Sequence, residues 1–347
     1  MRAFLAALFF TLPWSAALAG NEPWTIGPRT LPAPAGASEV IRAGIANRAQ
    51  PDVAKHVRQT TVVPGKDFRR RIRAANARRG AEAKFRAKRW GVTIGKAEIA
   101  GVSVRTATPA GIDPANRSRL FVHLHGGAYV IGAGKAILLE AVLIAHRGRI
   151  PVVSIDYRMP PDHPFPAAVD DVVAVWRELL AERQAKSMAL GGTSAGGGLT
   201  LAATQRFIEL GLEVPGALWA GTPWADLSKT GDSLYTNEGI DHKLVSYHGL
   251  LESAAKLYAD GRDLKTPLIS PVYGSFKGFP PTYLVTGTRD LFLSDTVRVH
   301  RKMRVAGVVA DLNVYEGVSH GDYFFRDSPE FEQSSGELRD FLLRHLD

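Results

Sequence analysis

The chain has 347 residues, a net charge of +9 and no cysteine. Its charged and apolar fractions, 22% and 45%, are those of an ordinary globular protein with room for one large domain or two small ones. The missing cysteine excludes disulfides, thiolate catalysis, a cysteine metal site and a lipoprotein anchor.

Met1-Arg2 followed by an apolar stretch to Phe10, with the small-x-small pattern Ala17-Leu18-Ala19, reads as a secretory signal over residues 1–19 cleaved after Ala19. It is short for a membrane span, so a secreted or periplasmic protein is expected; an uncleaved anchor is the alternative. Residues 20–90 read as a linker and N-terminal cap helices. Pro, Gly and Ala crowd residues 21–37, and helix-compatible segments cover about 38–50 and 68–88. The second segment is strongly basic: Arg69, Arg70, Arg71, Arg73, Arg78, Arg79, Lys84, Arg86, Lys88 and Arg89 meet only Asp67 and Glu82. Such a run is a solvated helix face or a weak contact for an anionic surface. No nucleic-acid signature accompanies it, and export argues against that partner.

From residue 91 to the end, strands and helices alternate. An antiparallel pair is expected over 92–106, turning near Ala100-Gly101. Strands are expected at 120–124, 152–155, 187–191, 216–221, 282–286 and 312–315. Helices are expected near 135–146, 167–183, 199–210, 294–306 and 329–345. This rhythm calls for a mostly parallel sheet covered on both faces. Residues 227–280 break it and read as a helical insertion over the strand ends, where ligands bind. No internal repeat and no metal-type cluster stands out.

Gly192-Thr193-Ser194-Ala195-Gly196 follows an apolar strand and precedes a helix. A strand-to-helix turn of this kind strains the central serine and projects its hydroxyl, while flanking glycines avoid collisions with neighbouring backbone. A serine needs a base, and the base needs an acid to orient it. In this strand order the acid and then the histidine should follow later strands. Asp290 lies just past the strand at 282–286, and His320 just past the strand at 312–315. Asp295 and His300 fall in a helix, His146 ends one, and His242 reads as a solvated residue of the insertion. After the strand at 120–124, His125-Gly126-Gly127-Ala128 offers main-chain amides for an oxyanion, joined by the amide of Ala195.

With these residues assembled, the chain resembles the bacterial hormone-sensitive-lipase-like esterases of the α/β-hydrolase fold. The resemblance runs from about Leu120 to the C-terminus. It rests on His123-Leu124-His125-Gly126-Gly127-Ala128-Tyr129, Asp156-Tyr157-Arg158, the Pro161 to Pro166 stretch, the elbow, Asp290-Leu291 and His320-Gly321. It implies an α/β-hydrolase domain over 91–347, an eight-stranded sheet with a helical cap, and a Ser194–Asp290–His320 triad. It places the oxyanion hole at Gly126, Gly127, Ala128 and Ala195, Gly126 chiefly shaping the loop, and gives Asp156-Tyr157-Arg158 the task of holding that loop. The commoner elbow of the family carries an acid before the serine. Thr193 here matches its G-T-S-A-G subgroup, which includes short-acyl esterases, acetyl hydrolases and some lactone hydrolases. Ala128 replaces the third glycine of the family's loop but keeps its amide.

The expected activity is therefore a serine carboxylesterase acting on short-chain acyl esters, with lactone or acetyl hydrolysis by the same triad as the alternative. Tyr129, Trp224, Leu234 and Tyr235 are candidates to line its pocket. No cofactor or metal is implied, and the partner is a small-molecule ester or lactone. A homodimer is compatible with the resemblance. A non-catalytic binding protein on this scaffold, such as a plant gibberellin receptor, typically lacks a triad member, whereas all three are present here.

Overall fold

Strand-forming runs that end in glycine or polar loops assemble, in the computed structural model, into one eight-stranded sheet ordered β1-β2-β4-β3-β5-β6-β7-β8. The strands are β1 (Val92–Ile99), β2 (Val102–Pro109), β3 (Leu120–Leu124), β4 (Val152–Ile155), β5 (Met188–Thr193), β6 (Ala217–Gly221), β7 (Thr282–Gly287) and β8 (Ala310–Tyr315). β1 and β2 pair with each other antiparallel, β2 runs antiparallel to β4, and every pairing from β4 to β8 is parallel. The structure describes residues 25–28 and 30–347. The expected leader over residues 1–19 lies outside the described residues, and Ala33–Asp347 form one compact unit.

The helices are α1 (Glu39–Ala46), α2 (Val53–Thr60), α3 (Lys66–Trp90), α4 (Leu138–Gly148), α5 (Ala167–Glu182), α6 (Ala195–Glu209), α7 (Ser233–Thr236), α8 (Leu250–Ala259), α9 (Leu293–Val305), α10 (Asp322–Phe325) and α11 (Pro329–His345). Strand side chains alternate between two apolar clusters, as a sheet buried on both faces requires. Val122, Leu190, Leu218 and Leu284 join Val172 and Trp176 of α5, Phe207 of α6 and Met303 of α9 in one cluster. Phe121, Ala189, Trp219 and Tyr283 join Ala83 of α3, Val142 of α4 and Phe341 of α11 in the other. Burial of each large side chain contributes about 1.5–3 kcal/mol, so these two layers fix the strand ends in space.

Two departures from the expected elements bear on the site. Helix α2, which the sequence pattern does not announce, is set by Asp52, whose carboxylate accepts the Lys55 amide at 2.8 Å. Val62, just beyond it, donates its amide to Ser253 Oγ of α8 at 3.1 Å, tying the N-terminal helices to the insertion between β6 and β7. Helix α6 begins at Ala195, not at residue 199, so its first turn directly follows Ser194 and is completed by Gly196, Gly197 and Gly198.

Candidate active site

Ser194 sits between β5 and α6 with φ +57° and ψ −123°, a backbone region that disfavours any residue with a side chain. The strain is held by main-chain bonds: Ser194 donates its amide to Gly221 at 2.9 Å and accepts from Gly198 and Trp224, each at 2.9 Å. The flanking glycines are obligatory. A Cβ on Gly192 would sit on the Leu124 carbonyl, and one on Gly196 would meet that carbonyl and the His125 carbonyl. Ser194 is 9% exposed.

Asp290 follows β7 and is fully buried, yet every side of its carboxylate has a donor. Oδ1 accepts the Phe292 amide at 2.8 Å and meets Nδ1 of His320 at 3.0 Å. Oδ2 accepts the hydroxyls of Thr222 and of Thr286, the latter at 3.0 Å. Thr222 Oγ1 also lies 3.1 Å from His320 Nδ1. Asn237, from the insertion, donates to the Asp290 carbonyl at 2.8 Å. Ser194 and His320 thus both reach the Gly221–Thr222 pair at the end of β6. With Nδ1 engaged by the carboxylate, Nε2 of His320 remains for a second partner.

A second carboxylate, Asp241 of the insertion, is also buried here. One ligand atom each from Asp241, Asp290 and His320 lies within 4.8 Å of the others. Such spacing suits a cation, but the oxygens already accept protein donors: Asp241 takes the amides of Leu291 at 3.0 Å and Lys243 at 2.8 Å. Burial, and then the Asp290 charge, pushes the Asp241 pKa up to about 6. Burial alone would lower the His320 pKa, but the Asp290 charge and hydrogen bond, with the Asp241 charge, hold it above its usual value. Residues 241, 290 and 320 are distant in the chain, which is why no cluster is visible in the sequence.

The glycine loop follows β3. Gly127 has φ +127°, and a Cβ there would collide with the Ile131 carbonyl; Ala128 has φ +54°. Among the described residues the amides of Gly127 and Ala128 meet no hydrogen-bond acceptor, and Ala195, opening α6, has no intrahelical one. The amide of Gly126 donates to Glu140 Oε1 at 3.2 Å, so this residue shapes the loop and, unlike the others placed in the oxyanion hole, has its amide already engaged. Tyr157 holds the loop by donating its hydroxyl to the His125 carbonyl at 2.6 Å and stacking on that ring at 4.1 Å. Asp156 accepts the Gly134 amide at 2.9 Å, whereas Arg158 turns to Asp171 of α5. Burial drops the His125 pKa to about 4, so its ring is neutral at pH 7.

The pocket candidates divide. Tyr129, Trp224 and Leu234 are buried. Tyr129 stacks on Tyr258 at 3.9 Å, and Trp224 stacks on Phe292 at 5.7 Å, whose ring meets His320 edge-on at 5.0 Å. The hydroxyls of Tyr129 and Tyr258 and Nε1 of Trp224 are buried without a hydrogen-bond partner among the described residues. Tyr235 does not join this aromatic run; it is 61% exposed and lies against Lys229. His242 is not solvated either, because it contacts Asp322 at 3.0 Å and Ser319 at 2.9 Å. Asp295 is in the first turn of α9, but its carboxylate is buried and accepts the amides of Ala225 and Asp226. Thr222, Thr286, Asn237, Asp241 and Glu140 escape the sequence reading; only Thr222, placed one residue past the strand beside the elbow, carries a positional signal.

A family model described as the α/β-hydrolase fold matches residues 121–324. The crystal structure of an esterase named E25 superposes with a TM-score of 0.90 at 49% identity, covering 94% of this chain and 99% of that one. That of an esterase from the bacterial hormone-sensitive lipase family gives 0.72 at 30% identity, covering 85% and 97%. An acetyl-hydrolase of Streptomyces hygroscopicus is 31% identical over 221 residues, 63% of this chain and 73% of its own. An esterase of Acinetobacter venetianus is 28% identical over 229 residues, 65% and 75%. By fold, motif order and these similarities, the chain belongs to the α/β-hydrolase fold family, among its bacterial hormone-sensitive-lipase-like esterases.

Proposed function

We propose that this protein is a serine carboxylesterase that cleaves short-chain acyl esters, with Ser194 as nucleophile, His320 as base and Asp290 as the acid that orients it. The observation that carries the reading is the His320 Nδ1–Asp290 Oδ1 contact of 3.0 Å, on a histidine that meets Thr222 while a serine held at positive φ bonds to the adjoining Gly221. Ser194 Oγ attacks the ester carbonyl carbon as its proton passes to Nε2 of His320. The amides of Gly127, Ala128 and Ala195 receive the oxyanion; one such donor supplies about 3–4 kcal/mol in comparable sites. Collapse expels the alkoxide, which takes the proton from His320. Water then adds to the acyl-enzyme by the same route, releasing the acid and restoring Ser194.

Supporting the short-acyl preference, Phe292 lies edge-on to His320 and is backed by Trp224 and then Tyr129, all three buried, and one relative is named acetyl-hydrolase. Purified protein should turn over p-nitrophenyl acetate and butyrate with a higher kcat/KM than the dodecanoate or palmitate. A maximum at long chains would overturn the short-acyl assignment. Export belongs to the same proposal, supported by the charge and apolar pattern of residues 1–19. Expressed from the full gene in a Gram-negative host, the protein should appear in the periplasm or medium, beginning at Gly20; an intact Met1 in the cytoplasm would overturn it.

A further inference from the structure

Glu140 of α4 is an acid that the reaction above leaves unused, and it is 4% exposed. Oε1 accepts the main-chain amide of Gly126 at 3.2 Å. Oε2 accepts the Thr193 hydroxyl at 2.7 Å and lies 3.2 Å from Nε2 of His123. His123 Nδ1 in turn meets Ser154 Oγ of β4 at 2.7 Å. One carboxylate therefore joins β3, the glycine loop and the residue directly before Ser194. The fit leaves no slack: a Cβ on Gly126 would lie 2.9 Å from the Thr193 carbonyl and 3.3 Å from Oε1. Burial by itself would raise the Glu140 pKa, but the hydrogen bonds of His123 and Thr193 and the nearby His123 and Arg79 charges hold it below the usual value. The group is thus an ionised acceptor with three donors, which is how a buried charge is retained.

The structure assigns Glu140, with Thr193 as its elbow-side partner, as a positioning residue: it sets the distance between the Gly127–Ala128 amides and Ser194. The two halves of the oxyanion hole come from separate segments, the loop after β3 and the elbow after β5. The β3–β5 ladder ends at Leu124↔Gly192, short of both. Beyond that last pair, Glu140 bonds to both segments. Thr193 stands where the commoner elbow carries an acid, so in this chain the carboxylate reaches the elbow from a helix. A displacement of about 1 Å at a catalytic group can cost roughly 100-fold in rate.

This inference rests on Ser194 being the nucleophile, and the test separates the two. Thr193→Val is isosteric and severs only the elbow end of the link. It should lower kcat for p-nitrophenyl acetate about 10- to 100-fold, counted per serine titrated with a fluorophosphonate, with KM within about threefold. Thr193→Ser, which restores a hydroxyl, should recover most of the loss. Glu140→Leu removes both acceptors and should lose at least as much as Thr193→Val. Glu140→Gln should recover part of that loss, because its amide can accept from Gly126 and donate to a turned Thr193 hydroxyl. If Glu140→Leu does not fold, the Thr193 pair decides alone. A folded Thr193→Val with kcat within twofold of the parent, while Ser194→Ala is inactive, overturns the positioning role and leaves the esterase reading standing. Activity persisting in Ser194→Ala would instead remove the reading beneath it.

Discussion

Replacing Ser194 with alanine is expected to lower kcat for p-nitrophenyl acetate by about 10⁴- to 10⁶-fold, the range seen when a triad nucleophile is removed. The loss is chemical and not structural. The elbow is held by the Ser194 amide on Gly221 and by its carbonyl on Gly198 and Trp224, and alanine keeps all of these. The melting temperature should move by no more than about 3 °C, the equivalent of roughly 1 kcal/mol in a domain of this size. Labelling by a fluorophosphonate should vanish with the activity. A variant that retains a tenth of the parent rate would mean that another group attacks the ester.

Much of the fold is legible because burial on both faces of a parallel sheet writes itself as short apolar runs. The runs at 120–124, 152–155 and 282–286 coincide with β3, β4 and β7 to within a residue. Legible too are residues whose place is fixed by chain order, such as Asp290 and His320, each a few residues past a strand. What the sequence does not disclose is what only tertiary contact makes. Helix α2 has a polar sequence and is held by its cap and by its neighbours. The Gly126 amide is claimed by Glu140 of α4, a partner that no spacing in the chain announces. His242 looks like a solvated residue of the insertion, yet the insertion folds back, pairs it with Asp322 and Ser319, and buries its neighbour Asp241 beside the relay. Periodicity reports which face of an element is buried. It says nothing about which polar group from a distant segment will meet it.

Asp290→Asn is expected to cost about 10³- to 10⁴-fold in kcat/KM at pH 8. An amide nitrogen facing Nδ1 of His320 favours the tautomer that presents a proton, not a lone pair, to the serine. The pH profile should change as well, and its sign follows from the charges around the ring. Asp290 and Asp241 raise the His320 pKa, and Lys243 opposes them. A serine needs the neutral imidazole, so the parent enzyme should lose activity as pH falls through a pKa above 6.5, the ordinary value. Removing either carboxylate removes a charge that favours the imidazolium, so the acidic limb should move to lower pH in Asp290→Asn and in Asp241→Asn. The two variants then differ in rate. Asp290 shares a hydrogen bond with the ring, whereas Asp241 acts on it through charge, its oxygens being taken by Leu291, Lys243 and Leu244. Asp241→Asn should therefore shift the limb with a rate loss far smaller than that of Asp290→Asn. If instead Asp241→Asn proved the more damaging at pH 8, or moved the limb upward, Asp241 and not Asp290 would be the acid that orients His320.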